Sequence, residues 1–207
     1  MEFREYVKTC AELLIKQRRE YAELFGFETR NHYSIERSEG QQIGVAVEQG
    51  DGFMSVVGRQ LLGHWRSFRI DILGANGQPI MRANHPFRFY FQRLEVSTAE
   101  GKPIGVIEKR FSLLSKKFEV LDPMGQQLMT VSSPVYRIWT FPFMKAGNQV
   151  AVIEKKWSGI VQESVLDADK FRVKFDSPSL SQEERLLLVA AGVYIDLAYF
   201  ERKANSQ

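Results

Sequence analysis

The side chains best suited to chemistry in this 207-residue chain are basic groups set among aromatic rings. They stand in "HWRSFR" (His64–Arg69) and "FRFYFQR" (Phe87–Arg93). In an extended strand Arg88, Tyr90 and Gln92 share one face, and Phe87, Phe89 and Phe91 the other. Arg66, Arg69, Arg82, Arg88, Arg93, Lys109 and Arg110 are therefore candidates for a cationic surface. Guanidinium forks match phosphate oxygens in pairs. The chemistry they point to is anion recognition, of a lipid headgroup or of a nucleic-acid backbone. Ordinary solvated sheet faces are the remaining reading. Covalent chemistry finds little support. His32, His64 and His85 lack the spacing of metal ligands, and there is no Gly-x-Ser-x-Gly elbow or phosphate-binding loop. Asp196 lies within a strongly apolar run, where a hydrogen-bonded structural role suits it better than that of a general base. No enzymatic reaction is expected.

Charge narrows the partner. The chain has 28 basic and 25 acidic residues, a net charge of +3. That permits an anionic partner, but the near balance argues against nucleic acid. With 44% hydrophobic and 26% charged residues, the chain has the profile of a globular protein with a core of its own. Cys10 is the only cysteine, which excludes an internal disulfide framework and a cysteine-based zinc site. A reducing compartment fits. The opening "MEFREYVKTCAELL" carries charges throughout, with no apolar core of a secretory signal. A cytoplasmic location is expected, peripheral at the inner face of a membrane.

Three kinds of segment must position these groups. Phe3, Tyr6, Val7, Cys10, Leu13, Leu14, Tyr21 and Leu24 recur at helical intervals, and Gly26 follows them. This predicts an amphipathic helix over residues 3–25, in an N-terminal segment 1–30 distinct from a main domain at 31–203. Two roles are open for it: docking on the main domain, a partner chain or a second copy, or lying in a membrane interface. Glu2, Glu5, Glu12, Glu20 and Glu23 oppose the second.

From about His32 to Asp176 the pattern is of short strands, including "FRIDIL", "YRIWTF" and "VAVIEKKW", divided by turns such as "GANGQP" and "KAGNQ". The strands repeat. "FRIDILGANGQPIMRANHPFR" resembles "FEVLDPMGQQLMTVSSPVYR", aligning Gly77 with Gly125 and Pro86 with Pro134. "GKPIGVIEKRFS" resembles "GNQVAVIEKKWS", and "GQQIGVAVE" is a partial further copy. A unit of this size cannot bury its apolar face alone, so the copies should associate as an antiparallel barrel or sandwich. "TFPFMK" (Thr140–Lys145) reads as a loop between strands, with Phe141 and Phe143 as a membrane-touching tip or a hairpin cap.

The third segment is "ERLLLVAAGVYIDLAYFE". Its apolar part, Leu186–Phe200, has fifteen residues. As a helix that is about 22 Å, short of the ~30 Å hydrocarbon layer, and Asp196 would be costly in lipid. Ser181-Gln182-Glu183-Glu184 reads as a capping box. A helix apolar on every face is buried on every face. A core helix at about 180–201, wrapped by strands, is expected over one inserted in a membrane. Residues 204–207 are expected to be a disordered tail.

Hairpins followed by one terminal apolar helix resemble the tubby C-terminal architecture, and within it the phospholipid scramblase family. The resemblance runs from about Tyr33 to Glu201. It is carried by Lys156-Trp157-Ser158-Gly159, then Asp167-Ala168-Asp169-Lys170-Phe171, then Ile195-Asp196 and Phe200-Glu201. It implies a closed, pseudo-repeated antiparallel β-barrel of roughly twelve strands around a buried C-terminal helix. It also implies membrane-associated phospholipid binding, with aid to lipid movement across the bilayer. A soluble tubby-like scaffold and a nucleic-acid-binding module are the alternatives. Tubby-like domains are associated with phosphoinositide headgroups, so the cationic residues above become candidates for an anionic lipid. Cysteine clusters that carry palmitate in scramblases are absent, leaving Cys10 as the acylation candidate. The family's proposed calcium segment falls on "DADKFRVKFD", where Asp167 and Asp169 supply the first two oxygens. Past them the pattern departs: the sixth position is not glycine and the twelfth is Pro178. Lys170, Arg172 and Lys174 alternate with Phe171, Val173 and Phe175, as in a strand.

Overall fold

A computed structural model describes residues 2–18, 31–49, 67–88, 92–112, 115–134, 136–137, 139–156 and 170–199. The elements are α1 (Phe3–Thr9), β1 (Glu12–Arg18), β2 (His32–Glu36), β3 (Gln42–Gln49), β4 (Phe68–Gly74), β5 (Pro79–His85), β6 (Arg93–Thr98), β7 (Pro103–Arg110), β8 (Ser115–Leu121), β9 (Gln127–Pro134), β10 (Thr140–Lys145), β11 (Asn148–Lys156), β12 (Lys170–Phe175) and α2 (Gln182–Tyr199). The strands lie side by side in chain order, each antiparallel to its neighbours. β1 pairs with both β2 and β12, and so closes the barrel.

That closure corrects the expected N-terminal helix. Helix α1 stops at Thr9, and Cys10 is extended, with φ −66° and ψ 148°. The next residues form β1, with Leu13 and Ile15 turned into the barrel. The run Leu13-Leu14-Ile15 fits a helical stripe or an alternating strand equally well. The unpaired edges of β2 and β12 decide between them, because every backbone group in β1 then finds a ladder partner. Residues 12–18 thus belong to the barrel rather than to a separate segment. Residues 19–30 lie outside the described residues, as do 200–207.

The repeat predicts the turns well. Gly77 and Gly125 have φ of 76° and 84°, a conformation open to glycine at little cost. Each closes its hairpin in the same way. Gly77 N–H donates to Gly74 O and Gly74 N–H to Gln78 O, while Gly125 N–H donates to Asp122 O and Asp122 N–H to Gln126 O. The β2–β3 and β6–β7 turns repeat this pattern, and each of the four hairpins has a register shift beside its turn. Because neighbouring strands alternate in direction, these four turns, the β10–β11 turn, α1 and the start of α2 share one end of the barrel. The connections that follow β5, β7 and β9 share the other, called the far end below.

Helix α2 runs inside the barrel from the turn end to the far end and is buried from Glu184 to Leu197. Its cap is the expected one: Glu184 N–H donates to Ser181 Oγ at 3.1 Å and Ser181 N–H to Glu184 Oε2 at 2.8 Å. Close approach to the wall depends on glycine. A Cβ on Gly192 would lie 2.6 Å from Ile15 Cδ1 of β1, and one on Gly105 of β7 would lie 2.9 Å from Leu187 Cδ1. Helix α1 covers the turn end. Arg185 Nη1 donates to Val7 O at 3.2 Å and Cys10 O at 2.8 Å, and Gln182 Nε2 donates to Arg4 O at 3.0 Å. Among the described residues, no helix is long and apolar enough to cross a membrane.

Candidate functional site

The candidate site follows from strand alternation. Residues directly opposite in an antiparallel ladder share a face. Arg69 faces Asn84, Asp71 faces Arg82, Arg93 faces Glu108 and Glu108 faces Glu119. Arg69, Arg82, Arg93 and Arg110 therefore stand together on the outer wall over β4–β8. The acids interleave with them. Asp71 lies 3.0 Å from Arg82 Nε and 3.6 Å from Arg69 Nε. Glu95 lies 3.2 Å from Arg93, and Arg110 is held by Glu119 at 2.7 Å and Glu108 at 3.3 Å. The Glu119 hydrogen bond raises the Arg110 guanidinium further above its ordinary value. Exposed pairs of this kind contribute only about 0–1 kcal/mol each. Arg88 follows the end of β5 at the far end, and Arg66 lies outside the described residues.

Two of the sequence assignments change. Lys109 parts from Arg110. It lies opposite Phe118, a buried inner residue, and so faces the lumen; consecutive strand residues cannot share a face. Phe141 and Phe143 are not an exposed tip. "TFPFMK" is β10, and the two rings are 0% and 1% exposed. They point inward because Phe141 pairs with Ile153 and Phe143 with Ala151, both inner residues.

Among the described residues, Lys109 is one of three lysines on the inner wall at the far end. Lys116 lies opposite the buried Ser133, and Lys155 opposite the buried Phe171. Lys116 Nζ reaches two strands across, to 4.6 Å from the Phe141 ring centroid. Lys155 Nζ lies 5.3 Å from the Trp139 ring and 5.6 Å from Phe171. An aromatic face attracts an ammonium. The repeat aligns Lys109 with Lys155, so the sequence held this signal; only the facing of each lysine was needed to read it. Across the lumen the inner wall is polar and acidic instead: Gln17 Nε2 donates to Asn31 Oδ1 at 2.9 Å, and Asn31 Nδ2 to Glu48 Oε2 at 2.6 Å.

The other candidates have structural settings. Tyr33 Oη donates to Asp196 Oδ2 at 2.9 Å, binding α2 to the wall. Cys10 is buried, its Sγ 3.7 Å from Val7 O. Burial pushes its thiol up to about 11 against the pull of Arg185. A buried, protonated thiol is a poor acylation site. Asp167 and Asp169 lie outside the described residues. Beyond them β12 alternates as expected, with Phe171, Val173 and Phe175 buried and Lys174 paired with Asp176 at 2.8 Å. Among the described residues, no three His, Cys, Asp or Glu side chains are placed to hold a metal ion.

Known proteins resemble the chain across this whole barrel. Phospholipid scramblase 1 of Mus musculus is 29% identical over 218 residues, covering 98% of this chain and 65% of that protein. Phospholipid scramblase 2 of Homo sapiens is 27% identical, covering 96% of this chain and 70% of that protein. Altered inheritance rate of mitochondria protein 25 of Saccharomyces cerevisiae is 24% identical, covering 93% and 71%. The chain thus spans about two thirds of the length of the first of these. No solved structure matches it. The family model described as Scramblase matches residues 2–202, from before α1 to beyond α2, and the chain belongs to that family.

Proposed function

We propose that this protein is a scramblase-like phospholipid-binding protein that acts at an anionic membrane surface, peripherally and on the cytoplasmic side. The observation that carries this reading is that the Scramblase match takes in every strand of the barrel and α2. The wall of Arg69, Arg82, Arg93 and Arg110 supplies groups of the right chemistry for headgroup phosphate. The contribution is non-covalent: the barrel binds and orients headgroups, and no bond is made or broken. Movement of lipid between leaflets, in this reading, calls for a partner or a second copy, because α2 is enclosed and the lumen it fills offers headgroups no path.

Co-sedimentation of the full chain with vesicles tests this, using phosphatidylcholine alone or mixed with phosphatidylserine, at rising salt and with or without calcium. Binding is expected only to the mixed vesicles and is expected to weaken as salt screens the charges. Binding to neither kind, or equal binding to both, rules the reading out. A calcium requirement would bring Asp167 and Asp169 into the mechanism.

A further inference from the structure

At the turn end, α1 and the β2–β3, β4–β5 and β6–β7 turns border an open cleft of about 520 Å³. That is the size of a small-molecule site. Four charged side chains line it, each from its own place in the fold. Glu2 precedes α1, Arg4 belongs to α1, Arg37 to the β2–β3 turn and Glu100 to the β6–β7 turn. Both arginines are half-buried and held by uncharged groups. Arg4 Nη2 donates to Ile80 O at 3.0 Å, and the Arg37 guanidinium lies 4.5 Å from the Tyr6 ring centroid. Arg37 Nε is buried and has no hydrogen-bond partner. A buried donor left unmade is costly, and an anion in the cleft would satisfy it. Among the described residues, no ion pair joins Glu2 or Glu100 to either arginine. A hydrogen bond from Thr98, one from its own backbone and the charge of Arg4 hold the Glu100 carboxyl below its ordinary value, so it is ionised at neutral pH. Two cations and two anions leave the lining neutral, which matches a ligand that carries both signs. Guanidinium forks pair with phosphate oxygens, and a primary ammonium donates to carboxylates. A quaternary ammonium has no N–H to donate and is held by aromatic faces instead. The cleft has one ring, Phe3, which is 4% exposed, and the nearby Tyr6 face already carries Arg37.

We propose that this cleft binds a phosphoester that carries a primary ammonium: Arg4 and Arg37 take the phosphate, and Glu2 and Glu100 take the ammonium. Ethanolamine and serine phosphoesters have this chemistry, and choline phosphoesters do not. The pairing of phosphate with ammonium follows from the cleft itself. Its source as a phospholipid headgroup, rather than a free phosphoester, rests on the lipid-binding reading above. The cleft adds to that reading a discrimination among headgroups that the outer wall of arginines cannot make, since those residues meet the phosphate alone.

Calorimetric titration of the full chain with glycerophosphoethanolamine, glycerophosphocholine and inorganic phosphate tests the site. The ethanolamine ester is expected to bind at least about tenfold more tightly than the choline ester, which leaves the carboxylates without a donor. Arg37→Gln, its folding checked by thermal melting, is expected to weaken the ethanolamine ester and inorganic phosphate alike. Glu100→Gln lies at an exposed turn position, where folding is not at stake. It is expected to weaken the ethanolamine ester and narrow its advantage over the choline ester, without weakening inorganic phosphate. A merely structural role for Glu100 would not produce that split. Absence of binding by the ethanolamine ester, or equal affinity for the two esters, overturns the proposal. Vesicle sedimentation alongside that result leaves the lipid-binding reading intact. Competition then identifies the source. If the soluble ethanolamine ester releases the chain from phosphatidylserine-containing vesicles, the cleft takes a membrane headgroup. If the ester binds but leaves vesicle binding undisturbed, or no vesicles are bound at all, the headgroup assignment is overturned and the occupant is a soluble phosphoester.

Discussion

Glu36 shows how one residue holds the barrel seam together. It is buried on β2, where it pairs with Lys16 of β1, accepts from Arg18 Nη2 at 3.0 Å and accepts from Ser34 Oγ at 2.7 Å. Burial alone raises a carboxyl, but Lys16, Ser34 and Arg18 more than offset it, and the net shift is downward. A carboxyl held below its unfolded value stabilises the fold fully above that unfolded value. The contribution is lost as pH falls through the folded value. Glu36→Gln is therefore expected to cost about 2 kcal/mol at neutral pH. In urea melts the gap between variant and parent should close as pH drops below about 4. A gap that widens in acid would contradict this account. The same ion pairs also show what the sequence concealed. Residues 12–18 read as part of a helix, because the partner of Lys16 is fixed by β1–β2 register rather than by any nearby residue.

Among the elements, α2 and β1 depend on each other most closely. Gly192→Ala places a methyl group 2.6 Å from Ile15 Cδ1, the far tip of a flexible side chain, and overpacking there is expected to cost about 1–3 kcal/mol. Ile15→Val removes that carbon and should recover part of the loss in a double-mutant cycle. Additive effects would mean that the two elements do not meet as described. Gly105→Ala differs, since its Cβ would also lie 2.4 Å from the Leu121 backbone oxygen, which no side-chain truncation can move. The fold was legible wherever the signal was local. Glycine turns, the capping box and an all-apolar helix all act within a few residues. β1 was not legible, because its strand form is set by edges 14 to 162 residues away in the pairing of Arg18 with His32 and of Glu12 with Lys174. The site followed the same division. The basic residue types were plain to read, whereas the inward facing of Lys109 and the burial of Phe141 and Phe143 depend on ladder phase and on the lumen.

Considered whole, the molecule is a wall closed by one strand, and truncation separates the two N-terminal elements. Removing residues 1–10 takes away α1, which covers the turn end, but leaves every strand paired. A folded β-rich protein with a lowered melting temperature is expected. Removing residues 1–18 also takes β1, exposing the edges of β2 and β12 and one side of α2. Loss of the cooperative transition, with aggregation, is expected. Circular dichroism and light scattering would distinguish the two, and a well-behaved 19–207 chain would show that the seam is dispensable.

The order of the strands also bears on how the protein is made. Every pairing but one joins neighbours in the chain, so hairpins can form one after another during translation, with little loop entropy to overcome. The rod that fills the lumen is synthesised after all of them. Until it emerges from the ribosome the half-built sheet has nothing to wrap, and its apolar lining stays open to solvent. The nascent chain therefore passes through an obligatory adhesive stage, and the window for chaperone capture closes when β1 meets β12.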